Sequence, residues 1–158
     1  MTVRKYARVP STGGAAWVEL HDGGARVLSR APWDGDVTGC GEMAAPAELL
    51  APVAPSKILC VGRNYKAHAK ELGNDVPREP LLFWKPPSSI VAPGGKVELP
   101  PPDVSSRVDE EAELAVVIGR RARKVAAADA MAHVFGVTLA FDVTARDLQK
   151  KDGQWTRA

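Results

Sequence analysis

Residues 108–119 read VDEEAELAVVIG, a run of acidic residues that continues directly into an apolar segment. Side chains of a β-strand alternate between two faces, so Asp109, Glu111 and Glu113 would share one face. The same face continues through apolar positions that we expect to be buried. Burying charge is unfavourable unless the charge is paired or bound to a metal ion. The stretch therefore indicates either a solvated strand end or a cation-binding site.

The chain has 158 residues, which suits one domain, or one domain with a small appendage. Its formal net charge of +2 disfavours an electrostatic nucleic-acid-binding protein, and the basic run RRARK (120–124) is predicted to be an exposed turn. Cys40 and Cys60 are too few for a disulfide scaffold. Because the sequence has neither a signal-peptide core nor a membrane-length apolar stretch, we expect a cytoplasmic protein that binds neither nucleic acid nor membrane.

Residues 1–54 are predicted to form a small β unit, and residues 55–158, after a proline-spaced connector, a second domain. Periodicity and turn residues predict strands at 5–9, 16–20, 25–28, 57–61, 81–84, 96–99, 111–118 and 137–143. The predicted helices lie near 47–50 and at 65–72 and 126–134. The expected fold class is α+β, mainly β.

Within NYKAHAKEL (64–72), His68 and Glu71 are three positions apart, which places them on one face of a helix. A carboxylate beside an imidazole can orient the ring and raise its basicity, as a general base requires. A surface ion pair uses the same spacing, and the residues alone favour that simpler interpretation.

A third acid, Asp142, ends an apolar run in LAFDVTARD (139–147). A hard cation such as Mg²⁺ takes several oxygen ligands, usually one or two carboxylates with waters and substrate. Arg146 and Gln149 follow closely, and a guanidinium can grip a carboxylate by two parallel hydrogen bonds. A salt bridge from Arg146 to Asp147 or another neighbour is an equally good interpretation.

Three segments together resemble the fumarylacetoacetate hydrolase family, namely GRNYKAHAKEL (62–72) with EPLLFWKPPSSIV (79–91), DEEAELAVVIGRRARKV (109–125) and FGVTLAFDVTARDLQKKDGQWTRA (135–158). The likeness covers residues 55–158, whereas residues 1–54 resemble the variable N-terminal β unit of these enzymes. It implies part of a fumarylacetoacetate hydrolase-type β-roll. The GRNY form and short first unit favour the branch of acylpyruvases and 2-hydroxyhepta-2,4-diene-1,7-dioate isomerases.

The resemblance also implies roles for particular residues and a cofactor, Mg²⁺ or Mn²⁺. In the family, a strand Glu-x-Glu pair and a later Asp hold the metal, a His-x-x-Glu dyad is catalytic, and an Arg and a Gln bind substrate. These positions correspond here to the metal ligands Glu111, Glu113 and Asp142, the catalytic His68 and Glu71, and the substrate-binding Arg146 and Gln149.

The activity implied is metal-dependent hydrolysis of C–C bonds in small 2-oxo acids, acylpyruvase-like, through a metal-stabilised enolate. The same family site supports isomerisation, hydration and oxaloacetate decarboxylation, which the residues do not separate. Relatives carry a catalytic Lys directly after W-T-x-A and continue beyond it, whereas this chain stops at Ala158. We therefore expect the N-terminal part of a larger, homodimeric enzyme or, alternatively, a non-catalytic fragment.

Overall fold

The computed structural model of the chain describes residues 2–71, 73 and 75–158. Within them the strands are β1 (Lys5–Ser11), β2 (Gly14–His21), β3 (Gly24–Leu28), β4 (Gly39–Met43), β5 (Ile58–Gly62), β6 (Leu81–Lys85), β7 (Val108–Ile118) and β8 (Val134–Ala145). The α-helices are α1 (Lys66–Glu71) and α2 (Arg146–Asp152), and 3₁₀ helices span Pro87–Ser89 and Ala127–His133. The fold is mainly β with few helices, as predicted.

The first four strands form an antiparallel sheet in the order β1-β2-β3-β4. Alternate residues of the first three strands form its core, namely Ala7, Val9, Val18 and Ala25. Gly23, with φ of +88°, makes the turn between β2 and β3, where a left-handed backbone favours glycine.

Two predictions for this segment were wrong. The helix expected near 47–50 is absent from the described chain, because this proline-flanked segment is extended and the Leu50 amide donates to the Arg8 carbonyl at 2.8 Å. β4 was not predicted, since its sequence GCGEM is rich in glycine and exposed at every position.

By compactness the chain divides into two units. The first comprises Met1–Val53, Val91–Lys96 and Ala112–Phe141, and the second comprises Ala54–Ile90, Val97–Glu111 and Asp142–Ala158. The division falls within β7 and β8, so both strands contribute to both units. The chain first passes from one unit to the other between Val53 and Ala54.

Aromatic rings pack together in the first unit. The Trp33 ring lies edge-on to Trp17 and Phe135, with centroid distances of 4.8 and 5.2 Å, and Tyr6 lies 5.5 Å from Phe135. Gly119 lies against them, because a Cβ added there would be 2.7 Å from the Phe135 Cβ and 2.9 Å from the Trp33 Cβ. The close approach of Trp33 and Phe135 to this backbone therefore requires glycine at position 119.

In the second unit β5 and β6 form an antiparallel pair, registered from Ile58 opposite Lys85 to Gly62 opposite Leu81. Burial alternates along both strands, so Phe83 and Lys85 are half-buried whereas Leu59 and Trp84 are each 50% exposed. The strand predicted at 57–61 is present as β5, and only one of its faces is half-buried.

β7 and β8 form a two-stranded sheet. Along β7 the odd-numbered positions from Asp109 to Val117 are half-buried and the even-numbered ones are exposed. The shared face of Asp109, Glu111 and Glu113 is thereby confirmed. The strand expected at 96–99 is wrong, since this segment is irregular and leads into three prolines that cannot donate hydrogen bonds. No helix in the described ranges is long and apolar enough to cross a membrane.

Candidate active site

Two of the predicted metal ligands approach one hydroxyl group in the second unit. Thr144 Oγ1 lies 3.3 Å from Asp142 Oδ1 and 3.4 Å from Glu111 Oε2, and its single hydrogen can be donated to one carboxylate at a time. Asp142 and Thr144 lie two positions apart on β8 and are 7% and 4% exposed. The alternation of β8 thus brings a buried carboxylate and a buried hydroxyl to the same side, facing Glu111.

A lysine that the sequence analysis did not select completes this cluster. Lys85, the last residue of β6, places its Nζ 2.6 Å from Asp142 Oδ1, and its side chain is 17% exposed. Pairing with a cation is the usual way to offset the cost of a buried carboxylate. The signal was present in LLFWK (81–85), where strand alternation puts Lys85 in phase with the half-buried residues.

Arg146, the first residue of α2, has three protein partners. Its Nε donates to Asp109 Oδ2 at 2.8 Å, its Nη1 donates to Gln149 Oε1 at 3.2 Å, and its Nη2 lies 2.6 Å from Glu111 Oε1. The structure contains a salt bridge at Arg146, with Asp109 and Glu111 as partners rather than Asp147. Substrate binding by Arg146 stays a prediction.

The charges in this group affect one another. The hydrogen bond from Arg146 lowers the pKa of the Asp109 carboxyl below its ordinary value. Burial acts to lower the pKa of the Arg146 guanidinium, but the hydrogen bonds with Asp109 and Glu111 raise it overall. The Arg146 guanidinium and the Asp109 carboxylate are therefore held in their charged forms.

Asp147 has a separate task at the start of α2. It accepts hydrogen bonds from the Ser105 hydroxyl, the Ser106 amide and the Leu148 amide, and the first two lower its pKa to about 2. Next to it, the Arg146 amide donates to the Arg107 carbonyl at 2.8 Å. The segment that precedes β7 is thus fastened to the first turn of α2, which carries Arg146 and Gln149.

The predicted dyad cannot be compared with the structure, because the His68 side chain lies outside the described residues. Glu71 is the last residue of α1, and its side chain is exposed. The pairing of His68 with Glu71 therefore stays a prediction.

The predicted metal ligands are distributed over both units. Glu111 and Asp142 belong to the second unit, whereas Glu113 is half-buried on the same face of β7 in the first unit. Across residues 2–71, 73 and 75–158, no three His, Cys, Asp or Glu side chains are grouped to hold a metal ion. The donors are still of the oxygen type that a hard divalent cation takes, since two carboxylates and a hydroxyl converge. In this structure Lys85 and Arg146 neutralise those carboxylates.

Comparison with known proteins identifies the family. Residues 57–158 match the family model described as fumarylacetoacetate (FAA) hydrolase, C-terminal. The chain belongs to the fumarylacetoacetate hydrolase family. The resemblance found in the segments from residue 62 onwards is thereby confirmed.

Relatives within the fumarylacetoacetate hydrolase family differ in name. Protein Rv2993c of Mycobacterium tuberculosis is 39% identical over 163 positions, covering 98% of this chain and 60% of the relative. The human mitochondrial oxaloacetate tautomerase FAHD2A is 54% identical over 110 residues, covering 68% of this chain and 34% of the relative.

Solved structures agree with the predicted fold class. The 2-hydroxyhepta-2,4-diene-1,7-dioate isomerase of Mycobacterium marinum superimposes with a TM-score of 0.82 at 36% identity, covering 99% of this chain and 60% of that one. The chain spans about half the length of the curated relatives it matches, at 44% and 60% of the first two.

Proposed function

We propose that the protein containing this chain is a divalent-metal-dependent enzyme that shifts a proton within a small 2-oxo acid, by tautomerisation or double-bond isomerisation. The observation that carries the proposal is the approach of Glu111 and Asp142 to the Thr144 hydroxyl, with Lys85 and Arg146 beside them. The names of the human and mycobacterial relatives, a tautomerase and an isomerase, support this class of reaction.

Glu111, Glu113 and Asp142 would hold Mg²⁺ or Mn²⁺. The cation would supply Lewis acidity to the keto and carboxylate oxygens of a 2-oxo acid. Lys85 and Arg146 place positive charge beside Asp142 and Glu111, which offsets the cost of burying carboxylates in this cluster.

Arg146, Gln149 and Lys85 would orient the substrate and stabilise its charge. Each Nη of Arg146 carries two hydrogens and uses one on a protein partner, which leaves donors for the substrate carboxylate. Gln149 accepts through Oε1 and so presents its amide NH₂ group. The Lys85 ammonium, which has three donors, would stabilise negative charge that develops on the keto oxygen.

A second candidate is C–C hydrolysis, the activity predicted first from the sequence, and the family model is named after a hydrolase. Hydrolysis needs an activated water, and His68 oriented by Glu71 across one turn of α1 would supply the base. A proton shift within the substrate needs no water, so the two candidates place different demands on His68.

The test uses the purified protein with Mg²⁺ or Mn²⁺, assayed for loss of enol-oxaloacetate absorbance and for pyruvate release from an acylpyruvate. We expect metal-dependent loss of the enol. His68→Ala should abolish any pyruvate release while largely sparing the loss of the enol. Pyruvate release that depends on His68, without tautomerisation, would instead favour hydrolysis.

Metal binding is tested separately by Mn²⁺ calorimetry. Glu111→Gln should weaken Mn²⁺ binding by at least about 100-fold, because it removes a charged ligand. Glu110→Gln is the matched control, since Glu110 is exposed on the opposite face of β7, and it should bind like the wild type. A Glu111 variant that binds Mn²⁺ as tightly as the wild type would refute the proposed metal site. A wild-type protein that neither binds Mn²⁺ nor turns over substrate would favour the non-catalytic alternative.

The homodimer and the cytoplasmic location are part of the same proposal for the whole protein. Sedimentation of the purified protein would decide the first, with a single monomeric species counting against it.

A further inference from the structure

Asp109 lies two positions before Glu111 on the half-buried face of β7, and the family resemblance gives it no role. Its Oδ2 accepts from Arg146 Nε at 2.8 Å and lies 3.5 Å from Arg107 Nη2. Its side chain is 35% exposed, whereas that of Arg146 is 11% exposed. Asp109 is therefore the more exposed partner of this ion pair, and Arg146 is the largely buried one.

The contact at Nε determines where the rest of the guanidinium points. This group is planar, and its donors have fixed directions. With Nε held by Asp109, Nη2 is directed at Glu111 and Nη1 at Gln149. The Asp109 carboxylate thus fixes the orientation of the guanidinium, whose two Nη groups reach Glu111, a predicted metal ligand, and Gln149, a predicted substrate-binding residue.

The same contact limits how Arg146 can meet Glu111. A guanidinium held at Nε by one carboxylate cannot use that Nε to grip a second carboxylate by two parallel hydrogen bonds. Without Asp109, both Nε and Nη2 of Arg146 would be free to turn towards Glu111, which Nη2 already meets at 2.6 Å. Glu111 would then be held more tightly by Arg146 and would be less available to a divalent cation.

We propose that Asp109 is a positioning residue, which holds Arg146 by its Nε so that the guanidinium orients Glu111 and Gln149 without withdrawing Glu111 from a bound cation. This role rests on the proposed metal site at Glu111 and Asp142. Asp109 does not contact the cation or the substrate, and it acts through Arg146.

The test compares Asp109→Asn, nearly the same in shape, with Glu110→Gln, a neighbouring exposed acid on the other face. The first readout needs no metal and is the NMR resonance of the Arg146 Nε–H, identified by its loss in Arg146→Lys. We expect this resonance to be protected from exchange in the wild type and in the Glu110 variant, and to lose that protection in the Asp109 variant.

The second readout is Mn²⁺ affinity by calorimetry. Asp109→Asn should weaken binding about tenfold, as removal of an outer partner of a metal ligand commonly does, while Glu110→Gln should bind normally. Arg146→Lys keeps the charge but has no Nε to hold, and it should weaken binding similarly. When Asp109→Asn is added to Arg146→Lys, Mn²⁺ affinity should fall by less than about a further twofold, because the Nε contact through which Asp109 acts is already absent.

An unchanged Nε–H resonance or wild-type Mn²⁺ affinity in Asp109→Asn would overturn the proposal. So would a full tenfold further loss in the Arg146→Lys background, which would mean that Asp109 acts directly on the cation. If Asp109→Asn does not fold, Arg146→Lys decides, and normal Mn²⁺ affinity in that variant overturns the role. A wild-type protein that binds no Mn²⁺ refutes the proposed metal site itself and is distinct from each of these results.

Discussion

Replacing Lys85 by methionine should destabilise the protein strongly, because it leaves a buried carboxylate without its cation. Asp142 is 7% exposed, and Lys85 Nζ lies 2.6 Å from its Oδ1. Removing one partner of a buried ion pair costs about 3–5 kcal/mol, and since the Lys85 side chain keeps some exposure we expect a loss of about 3 kcal/mol. For a chain of this length such a loss lowers the melting temperature by roughly 10 °C.

The free energy of unfolding would be measured in urea by tryptophan fluorescence. Lys150→Met is the matched control, since Lys150 is exposed on α2, and it should change stability by less than about 0.5 kcal/mol. The double variant Lys85→Met with Asp142→Asn removes both charges and should be more stable than Lys85→Met alone. A cost of less than about 1 kcal/mol for Lys85→Met, the value of an exposed pair, would refute a buried ion pair between Lys85 and Asp142. A double variant less stable than Lys85→Met would refute it as well.

Two further predictions concern other parts of the chain. The pKa of Asp147 is about 2 in the folded chain against an ordinary 3.8, so its contribution to stability is present above about pH 4 and is lost as the pH falls towards 2. Asp147→Asn should therefore make the free energy of unfolding depend less on pH between about 4 and 2. An unchanged pH dependence in this variant would contradict the lowered pKa of Asp147. Gly119→Ala should cost about 1–3 kcal/mol of stability, because the added methyl group clashes with Trp33 and Phe135. Gly136→Ala is the control and should cost less than about 1 kcal/mol, because the space at its Cβ is open. Equal melting temperatures of the two variants would argue against the close packing of Trp33 and Phe135 on Gly119.

Local patterns were sufficient to predict the strands that carry the site. Alternation placed Asp109 and Glu111 on one face of β7, and the structure has them there. Local sequence patterns failed where contacts with distant segments determine the backbone conformation. The segment 47–50 has helical residues, but its hydrogen bond to Arg8 extends it along β1. The predicted strand at 96–99 has no pairing partner among the described strands.

Partners distant in sequence were the other limit. Lys85 was missed because its carboxylate, Asp142, lies on a different strand much later in the chain, and no local pattern links the two. The sequence left Arg146 undecided between a ligand and a salt bridge, because its partner Asp109 is 37 positions earlier. Only the tertiary arrangement of the strands and α2 brings these charges together, and the energy of each depends on the other's burial.

The alternation of β7 has a consequence for how this site can change in evolution. The face that carries the proposed metal ligand is set by strand alternation, since Glu111 and Asp109 are odd-numbered and half-buried whereas Glu110 is even-numbered and exposed. Deleting or inserting one residue within the strand would turn the entire set outwards together, because a shift of one position exchanges the two faces. Substitutions on the exposed face leave this arrangement intact, so the site should accept many point changes but few single-residue insertions or deletions.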